Sequence, residues 1–416
     1  MDLLLIGGGG REHALAWKLS QSGRVGKIYC APGNAGIAGL CECRPIPADD
    51  LGTLVEFAVA HDIGLAVVAP DDPLALGLVD KMEAAGVPAF GPTRAAAEIE
   101  SSKIFAKTLM RKYHIPTADW RSFDDPEEAC AYIRQCGAPL VVKADGLALG
   151  KGVVVSQTEQ QAMDAVRDMM ERKAFHGAGA RVVVEECMTG PEVTVLAFCD
   201  GKTIRTMPSS RDHKRALDND RGPNTGGMGA ISPAPGYTPE VEARCLETIF
   251  LPTIQAMAAE GRPFKGVLYF GLMLTPDGPR VVEYNARFGD PEAQAVLALL
   301  ETDLLDIMLA VREGRLHRMD IAWRQEASCC VVMASGGYPG SYPVGLPIAG
   351  LPQDRPDLTV FHAGTARREG RLVTAGGRVL GVTARAPTPE AAIAAAYRGV
   401  AGITFENAHY RTDIGG

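Results

Sequence analysis

A glycine-rich loop between two β-branched runs constrains the fold of this chain most. It spans Val141–Val155 and reads VVKADGLALGKGVVV. Glycines let a backbone approach a polyphosphate closely, and lysines supply cationic donors. The residues of this kind are Lys143, Gly146, Gly150, Lys151 and Gly152. A P-loop needs four residues between its glycines and Ser or Thr after the lysine, a pattern that this loop lacks. Valines follow, so we predict the tip of a β-hairpin laid over phosphates.

Length and composition bound the remaining interpretation. A chain of 416 residues is too long for one hydrophobic core and predicts several subdomains. With 46% hydrophobic and 22% charged residues it has the composition of a soluble globular protein. The net charge of −8 argues against nucleic-acid binding, and no apolar run has the length of a signal peptide or a membrane span. We therefore expect a cytoplasmic protein. The ten cysteines lack metal-ligand spacing and are predicted to be buried thiols.

The order of strand and helix patterns predicts an α/β multidomain chain. Residues 1–100 alternate strands and helices, as in a parallel α/β domain. Residues 101–325 form a larger mixed region, with a subdomain at about 117–190 that carries the hairpin. Residues 326–416 predict a small β-rich domain closed by a helix. The predicted helices include 74–85, 95–114, 159–172, 239–260, 291–312 and 389–400.

The first strand leads into a glycine-rich turn, Gly7-Gly8-Gly9-Gly10, followed by a helix. Backbone N–H groups at such a helix start, together with the helix dipole, favour an anion. A dinucleotide fingerprint is incomplete, because Glu12 and His13 stand where its third glycine belongs. A phosphomonoester site is the favoured interpretation, with a tight turn that binds nothing as the alternative.

A second strand predicts a metal site. Side chains alternate along a strand, so Glu283, Asn285 and Arg287 point to the same face. Carboxylate and amide oxygens suit Mg²⁺, and an arginine beside them neutralises a phosphoryl group or binds a carboxylate. The alternative is an exposed polar strand face.

Two further clusters are ambiguous by themselves. Residues 211–215 combine four bases with one acid and precede the glycine-rich segment 222–229, which predicts either a ligand-wrapping loop or a solvated one. Glu185 and Glu186 end a strand and Glu192 lies just beyond it; these acids either accept hydrogen bonds from a nucleotide or lie at the surface. No Gly-x-Ser-x-Gly nucleophile motif is present.

Taken together, these blocks resemble the phosphoribosylamine–glycine ligase (glycinamide ribonucleotide synthetase) family of the ATP-grasp superfamily. The resemblance covers essentially the whole chain. The segments that carry it are Gly7–Ala14, Lys143–Gly152, Asp212–Arg215, Gly222–Gly229, Glu283–Glu292 and Tyr410–Gly415. It implies an ATP-grasp fold with an N-terminal parallel α/β domain, and ligation of glycine to 5-phospho-β-D-ribosylamine through glycyl phosphate in purine biosynthesis.

The resemblance also implies roles for individual residues. ATP would contact Lys103, Lys143, Gly146, Gly150, Lys151, Gly152, Glu185, Glu186, Cys187 and Glu192. Mg²⁺ or Mn²⁺ would bind Glu283 and Asn285. The substrates would contact Gly8, Gly9, Gly10, Asn34, Asp71, Asp212, His213, Lys214, Asn224, Thr225, Gly226, Arg287, Gly289 and Asp290. Catalysis would depend on Arg287, Lys143, Asp212 and Lys214.

The resemblance has local departures and leaves competing functions. Ala69 and Asp71 stand where the family usually has Gly and Glu, and Arg211 stands where Gln is usual, which bears on substrate contacts. The alternatives are an ATP-grasp ligase or carboxylase for another carboxylate, and a non-catalytic nucleotide-binding module. Small molecules are the expected partners, without nucleic acid or membrane. We expect a monomer with at most weak contact to neighbouring purine-pathway enzymes.

Overall fold

The amino-terminal region is a parallel sheet covered on both faces. The computed structural model describes residues 1–147, 152–172, 179–353 and 355–416. The first elements are β1 (Leu3–Gly7), α1 (Gly10–Leu19), β2 (Ile28–Pro32), β3 (Glu42–Cys43), α2 (Leu51–Ala60), β4 (Leu65–Val68), α3 (Asp71–Ala75), α4 (Leu78–Ala84), β5 (Ala89–Phe90) and α5 (Arg94–Ser101). The strand order is β3-β2-β1-β4-β5, all parallel. Along β1, Leu4 and Ile6 enter one core while Leu3 and Leu5 enter another, as a strand buried on both faces requires.

The predicted hairpin belongs to a separate four-stranded antiparallel sheet. Its region contains α6 (Lys103–Lys112), β6 (Trp120–Phe123), α7 (Pro126–Cys136), β7 (Leu140–Ala144), β8 (Val153–Ser156), α8 (Glu159–Met170) and β9 (Val182–Glu186). The order is β6-β9-β7-β8, and β7 pairs with β8 from Leu140–Ser156 to Lys143–Val153. The hairpin prediction is confirmed. Two of its predicted ligand residues, Gly150 and Lys151, lie outside the described residues.

A second antiparallel sheet, ordered β11-β10-β16-β17, faces the first. The elements of this region are β10 (Glu192–Asp200), β11 (Ile204–Thr206), β12 (Arg211–Asp212), β13 (Arg215–Leu217), β14 (Arg221–Asn224), β15 (Gly229–Ser232), α9 (Pro239–Cys245), α10 (Leu251–Ala259), β16 (Lys265–Thr275), β17 (Gly278–Asn285), α11 (Glu292–Leu297) and α12 (Leu304–Glu313). The β16–β17 hairpin, with a register shift at Gly271–Leu272, presents the predicted metal residues at its end.

The carboxy-terminal region completes a sheet that begins earlier in the chain. It contributes β18 (Ala327–Ala334), β19 (Leu358–His362), β20 (Thr365–Arg368), β21 (Arg371–Thr374), β22 (Arg378–Ala386) and α13 (Pro389–Val400). The sheet is ordered β12-β15-β18-β22-β19, so strands from residues 211–232 pair across the sequence boundary expected near residue 326. Among the described residues, none of the helices combines the length and apolar character needed to cross a bilayer.

Four of the helices predicted from the sequence, at 74–85, 95–114, 239–260 and 291–312, are interrupted. Gly77 separates α3 from α4, because its left-handed backbone, with φ of +86°, cannot continue a right-handed helix. Glycine adopts this conformation without strain. Ser102 is extended and separates α5 from α6, where its hydroxyl accepts a hydrogen bond from the Phe105 amide. A π-helical turn at 246–250 interrupts the third helix, and Asp303 restarts the fourth as the N-cap of α12. The cysteine prediction was wrong for Cys136, which is exposed.

A histidine pair joins the first and last regions of the chain. His13 on α1 is 7% exposed, and its Nδ1 accepts a hydrogen bond of 2.7 Å from the backbone amide of His362 on β19. Burial, with a smaller effect from the nearby His362, lowers the pKa of His13 to about 3. Because Nδ1 must be unprotonated to accept this bond, folding favours the neutral imidazole.

We expect acid pH to destabilise the protein in part through His13. A histidine with a lowered folded pKa stabilises fully above its unfolded pKa of about 6.5, and the contribution is lost as pH falls below that value. From pH 8 to pH 5 the loss should be about 2 kcal/mol for His13. Chemical denaturation at pH 8 and pH 5 should show that the free energy of unfolding of His13→Gln falls by correspondingly less than that of the wild type. The exposed His61→Gln serves as the control, and equal losses in all three proteins would contradict this assignment.

Candidate active site

A cleft of about 750 Å³ lies between the two antiparallel sheets, with further walls from the first and last regions of the chain. Most residues singled out from the sequence line it. They are Asp71, Lys103, Lys143, Gly146, Gly152, Glu185, Glu186, Cys187, Glu192, Asp212, His213, Lys214, Asn224, Thr225, Gly226, Glu283, Asn285, Arg287 and Asp290. Segments far apart in sequence therefore meet at one site.

A few predicted residues lie off the walls of this cleft. Gly8, Gly9, Gly10, Asn34 and Gly289 are outside its lining. The amide of Gly9 already donates to the Glu12 carboxylate at 2.6 Å, so this N–H of the turn is used internally. The Asn34 amide donates to the carbonyls of Gly8 and His362, which ties the turn to the last region of the chain. Direct ligand contacts by these residues stay a prediction.

At one end of the cleft a buried carboxylate holds two lysines. Glu185 on β9 lies 2.9 Å from Nζ of Lys143 and 3.1 Å from Nζ of Lys107. Lys143 also donates to the carbonyl of Val282 at 2.9 Å, which fixes its ammonium against β17. All three charged side chains are at most 4% exposed. Glu185 was predicted to face a nucleotide, and here it positions the cations beside the cleft.

The predicted metal ligands share one wall with a cluster of cations. Burial alone would raise the pKa of Glu283, but Lys214, Lys103 and Lys143 outweigh that effect and lower it to about 2. Its carboxylate is therefore ionised at neutral pH. Among the described residues, no group of three or more His, Cys, Asp or Glu side chains is arranged to hold a metal by itself. One carboxylate and the Asn285 amide fit a hard cation that shares its coordination with a bound phosphate.

Lys214 connects the basic segment 211–215 to the side of the cleft that carries the predicted metal ligands. Its Nζ lies 3.1 Å from Glu192 and 3.4 Å from Glu283, and these carboxylates raise the pKa of Lys214 against the effect of desolvation. Asp212, two residues earlier on β12, has a buried Oδ1 without a hydrogen-bond partner. Burial and the neighbouring Glu292 raise the pKa of Asp212. Gly227, with φ of +112°, passes so close that a Cβ there would lie 2.7 Å from Oδ1.

Arg287 lines the same cleft as the predicted metal ligands, and two carboxylates hold it there. Its Nη2 lies 3.0 Å from Glu100 and 3.8 Å from Asp71, and these two carboxylates raise its pKa although desolvation opposes them. Its Nε is buried and has no hydrogen-bond partner. Nη1 donates to the carbonyl of Phe288 at 3.2 Å, and the two acids hold the plane of the guanidinium in place.

Several residues of the cleft were missed by sequence reasoning. Arg378 on β22 donates to the carbonyls of Gly226 and Asp290 at 2.6 and 2.7 Å, and the hydroxyl of Tyr338 accepts from the Gly226 amide at 3.0 Å. No local motif marks either residue, because their proximity to the cleft depends on the pairing of distant strands. Glu100 carries no motif either. Glu292 ends the segment Glu283–Glu292, which the sequence analysis had noted. The only signal that could have marked it is that it is a carboxylate within that segment.

Comparison with known proteins identifies the family. Models of the phosphoribosylglycinamide synthetase family match its N domain at residues 1–100, its ATP-grasp (A) domain at 101–293 and its C domain at 328–416. The chain belongs to this family. A phosphoribosylamine–glycine ligase of Rhizobium meliloti is 51% identical over 415 residues, covering 100% of this chain and 98% of the relative. The trifunctional purine biosynthetic protein adenosine-3 of Gallus gallus is 51% identical over 99% of this chain, which corresponds to 42% of that protein.

Solved structures share the fold of this chain, whose residues 101–293 match the ATP-grasp (A) domain of the family. The phosphoribosylamine–glycine ligase of Thermotoga maritima is 32% identical, with a TM-score of 0.88 and full coverage of both chains. A biotin carboxylase domain from Hydrogenobacter thermophilus, solved with Mg-ADP and bicarbonate, has a TM-score of 0.76 at 15% identity and covers 98% of this chain and 91% of that one. The second likeness concerns the fold alone. The predicted fold class is confirmed.

Proposed function

We propose that this phosphoribosylglycinamide synthetase family member joins glycine to 5-phospho-β-D-ribosylamine at the expense of ATP. The products are glycinamide ribonucleotide, ADP and phosphate, a step of purine biosynthesis. The observation that carries the proposal is the convergence of Lys143, Glu283, Asn285, Arg287 and Asp212 on one cleft, in a chain that matches this family over its whole length. Together these residues can bind phosphates, a divalent cation and a carboxylate, and can accept a proton from an amine.

In the first step an oxygen of the glycine carboxylate attacks the γ-phosphorus of ATP, ADP leaves, and glycyl phosphate forms. An anion attacks a polyanion here, so catalysis requires cations fixed in advance. Lys103 and Lys143 line the cleft on the hairpin side and would meet phosphate oxygens. Arg287, with its unpartnered Nε, would hold the glycine carboxylate or the transferring phosphoryl group. Glu185, Glu186, Cys187 and Glu192 would border the nucleoside.

Glu283 and Asn285 fit a divalent cation, Mg²⁺ or Mn²⁺. When bound, such a cation neutralises phosphate charge and orients the polyphosphate. The residues themselves supply one ionised carboxylate and one amide oxygen at the end of β17, beside Lys214. Because Glu283 and Asn285 would supply only two protein ligands, phosphate oxygens would be needed to complete the coordination.

In the second step the ribosylamine nitrogen attacks the acyl carbon, phosphate leaves, and the new amide nitrogen loses a proton. We assign that proton to Asp212, whose buried Oδ1 has no hydrogen-bond partner and accepts a proton when the carboxylate is ionised. Lys214, His213, Asn224, Thr225 and Gly226 would surround the sugar phosphate. The β7–β8 hairpin would exclude water, which otherwise hydrolyses an acyl phosphate.

The experiment that tests this function is ADP release with Mg²⁺ and glycine, with and without phosphoribosylamine generated from ribose 5-phosphate and ammonia. Release that requires both substrates, with a product of the mass of glycinamide ribonucleotide, is the expected result. Release with bicarbonate or another acid, but not with glycine, would retain the ATP-grasp chemistry and reject the substrate.

We also propose that the enzyme acts as a monomer, because one chain supplies every class of residue that the reaction needs. Sedimentation equilibrium across the concentration range of the assay should give the mass of a single chain, 44.1 kDa. A dimer that dissociates in parallel with a loss of activity would contradict this.

A further inference from the structure

Lys107 is a buried cation that the mechanism above leaves without a role. It lies one helical turn after Lys103 on α6, but only Lys103 lines the cleft. The side chain of Lys107 is 3% exposed. Its Nζ lies 3.1 Å from Oε1 of Glu185 and donates to the hydroxyl of Thr117 at 2.8 Å. Burying an ammonium costs several kcal/mol unless its charge is compensated, so this placement calls for an explanation.

The explanation lies in the number of charges. Glu185 contributes one negative charge and is paired through its two oxygens with two lysines, Lys107 and Lys143. If Lys143 were its only partner, the two charges would cancel beside the cleft. With Lys107 present the cluster has one positive charge in excess, and Lys143 is the member that lines the cleft together with Glu185. A buried excess charge attracts an anion strongly, because low-dielectric surroundings screen it little.

We propose that Lys107 is a positioning residue for the nucleotide polyphosphate. It compensates Glu185 from behind, so that the positive charge of Lys143 remains available to phosphate in the cleft. That the anion is a nucleotide polyphosphate rests on the proposed function. The arrangement of charges around Glu185 is independent of that function.

The protonation behaviour of Lys107 offers a readout that a purely structural lysine would lack. Burial lowers its pKa to about 8, with Glu185 and Glu186 opposing that effect and Lys143 adding to it. Above this pH the cluster loses its excess charge, so nucleotide affinity should fall. By linkage, a bound polyphosphate should raise the pKa of Lys107 and cause proton uptake on binding.

The test is calorimetric binding of Mg-ADP at pH 7 and pH 9 to the wild type, Lys107→Met and Lys107→Arg. Lys107→Met should weaken binding at pH 7 by about tenfold or more, which is about 1.4 kcal/mol. Lys107→Arg should retain affinity at both pH values, because arginine stays charged. The wild type should lose affinity at pH 9 and should take up protons at pH 8 when buffers of different ionisation enthalpy are compared.

The matched control is Lys112→Met, which removes a lysine from the same helix. Lys112 is exposed and pairs with Glu260 at the surface, so its loss should leave binding unchanged. Equal affinities of the wild type and Lys107→Met, or equal losses at pH 9 in the wild type and Lys107→Arg, would overturn the proposal. Should the variants fail to fold, absence of proton uptake by the wild type would do the same. Wild-type protein that bound no adenine nucleotide would instead reject the proposed function.

Discussion

Replacing Glu283 with glutamine is expected to reduce turnover by about a hundredfold or more, because several kcal/mol of charge stabilisation depend on its carboxylate. Glu283 is held ionised by Lys214, Lys103 and Lys143, and glutamine removes the charge while keeping the shape. Lys214 keeps its partner Glu192 at 3.1 Å, so the wall of the cleft should persist. Measurement of ADP release at increasing Mg²⁺ concentration should show both a lower maximum and a higher metal requirement.

Two comparisons make this result specific. Asn285→Ala should also lower turnover by orders of magnitude, since it removes the second proposed ligand. Glu406→Gln, at an exposed residue outside the cleft lining, should behave as the wild type. Near-normal turnover in both cleft variants, with a divalent metal still required, would mean that the cation is held by other residues.

The second large effect is expected at Arg287. Lysine keeps the positive charge that compensates Glu100 and Asp71, but it lacks the planar fork of five donors. Arg287→Lys should therefore fold normally and lose about two to three orders of magnitude in turnover, the effect of removing a preorganised donor. Arg287→Met should in addition lower the free energy of unfolding by about 3–5 kcal/mol, because Glu100 would remain buried without its partner.

The control for Arg287 is another arginine paired with the same helix, α5. Arg262 contacts Glu98 near the surface, outside the cleft lining. Arg262→Lys should change turnover by less than about twofold and stability by less than about 1 kcal/mol. If Arg287→Lys matched Arg262→Lys in kcat and in KM for glycine, Arg287 would have no contact with the reacting groups.

The sequence predicted the cleft best where a local rule applied. A strand has a period of two, and this placed Glu283 and Asn285 of β17 together at the cleft. Arg287 was predicted to continue the same strand face, but it lies beyond the end of β17 and reaches the cleft from there. Lysine and glycine spacing distinguished a hairpin from a P-loop, and pairing of β7 with β8 follows that prediction. The two lysine partners of Glu185 could not be predicted, because a carboxylate at a strand end has the same local pattern whether or not lysines of a helix and a neighbouring strand contact it.

Helix continuity and the contribution of the last region were also beyond local rules. The break at Ser102 depends on tertiary contacts, since its hydroxyl donates to Asp145, whose carboxylate also accepts from the amide of Ile104. Arg378 reaches Gly226 and Asp290 because β12 and β15 join the sheet that contains β22. The Arg378 contacts connect residues 152 and 88 positions apart, and no periodic pattern records them.

The sequence by itself determined the family, the order of the elements and the chemical types of the residues around the cleft. The family rests on the resemblance of whole motifs to known members, whereas the order of the elements and the residue types follow from spacing and period, which are properties of short segments. Only the tertiary structure decided the charge states and partners, such as the ionised Glu283, the two lysines on Glu185 and the acids that hold Arg287. The physical reason is that burial and nearby charges set protonation and orientation, and both arise from segments that meet only in the folded chain.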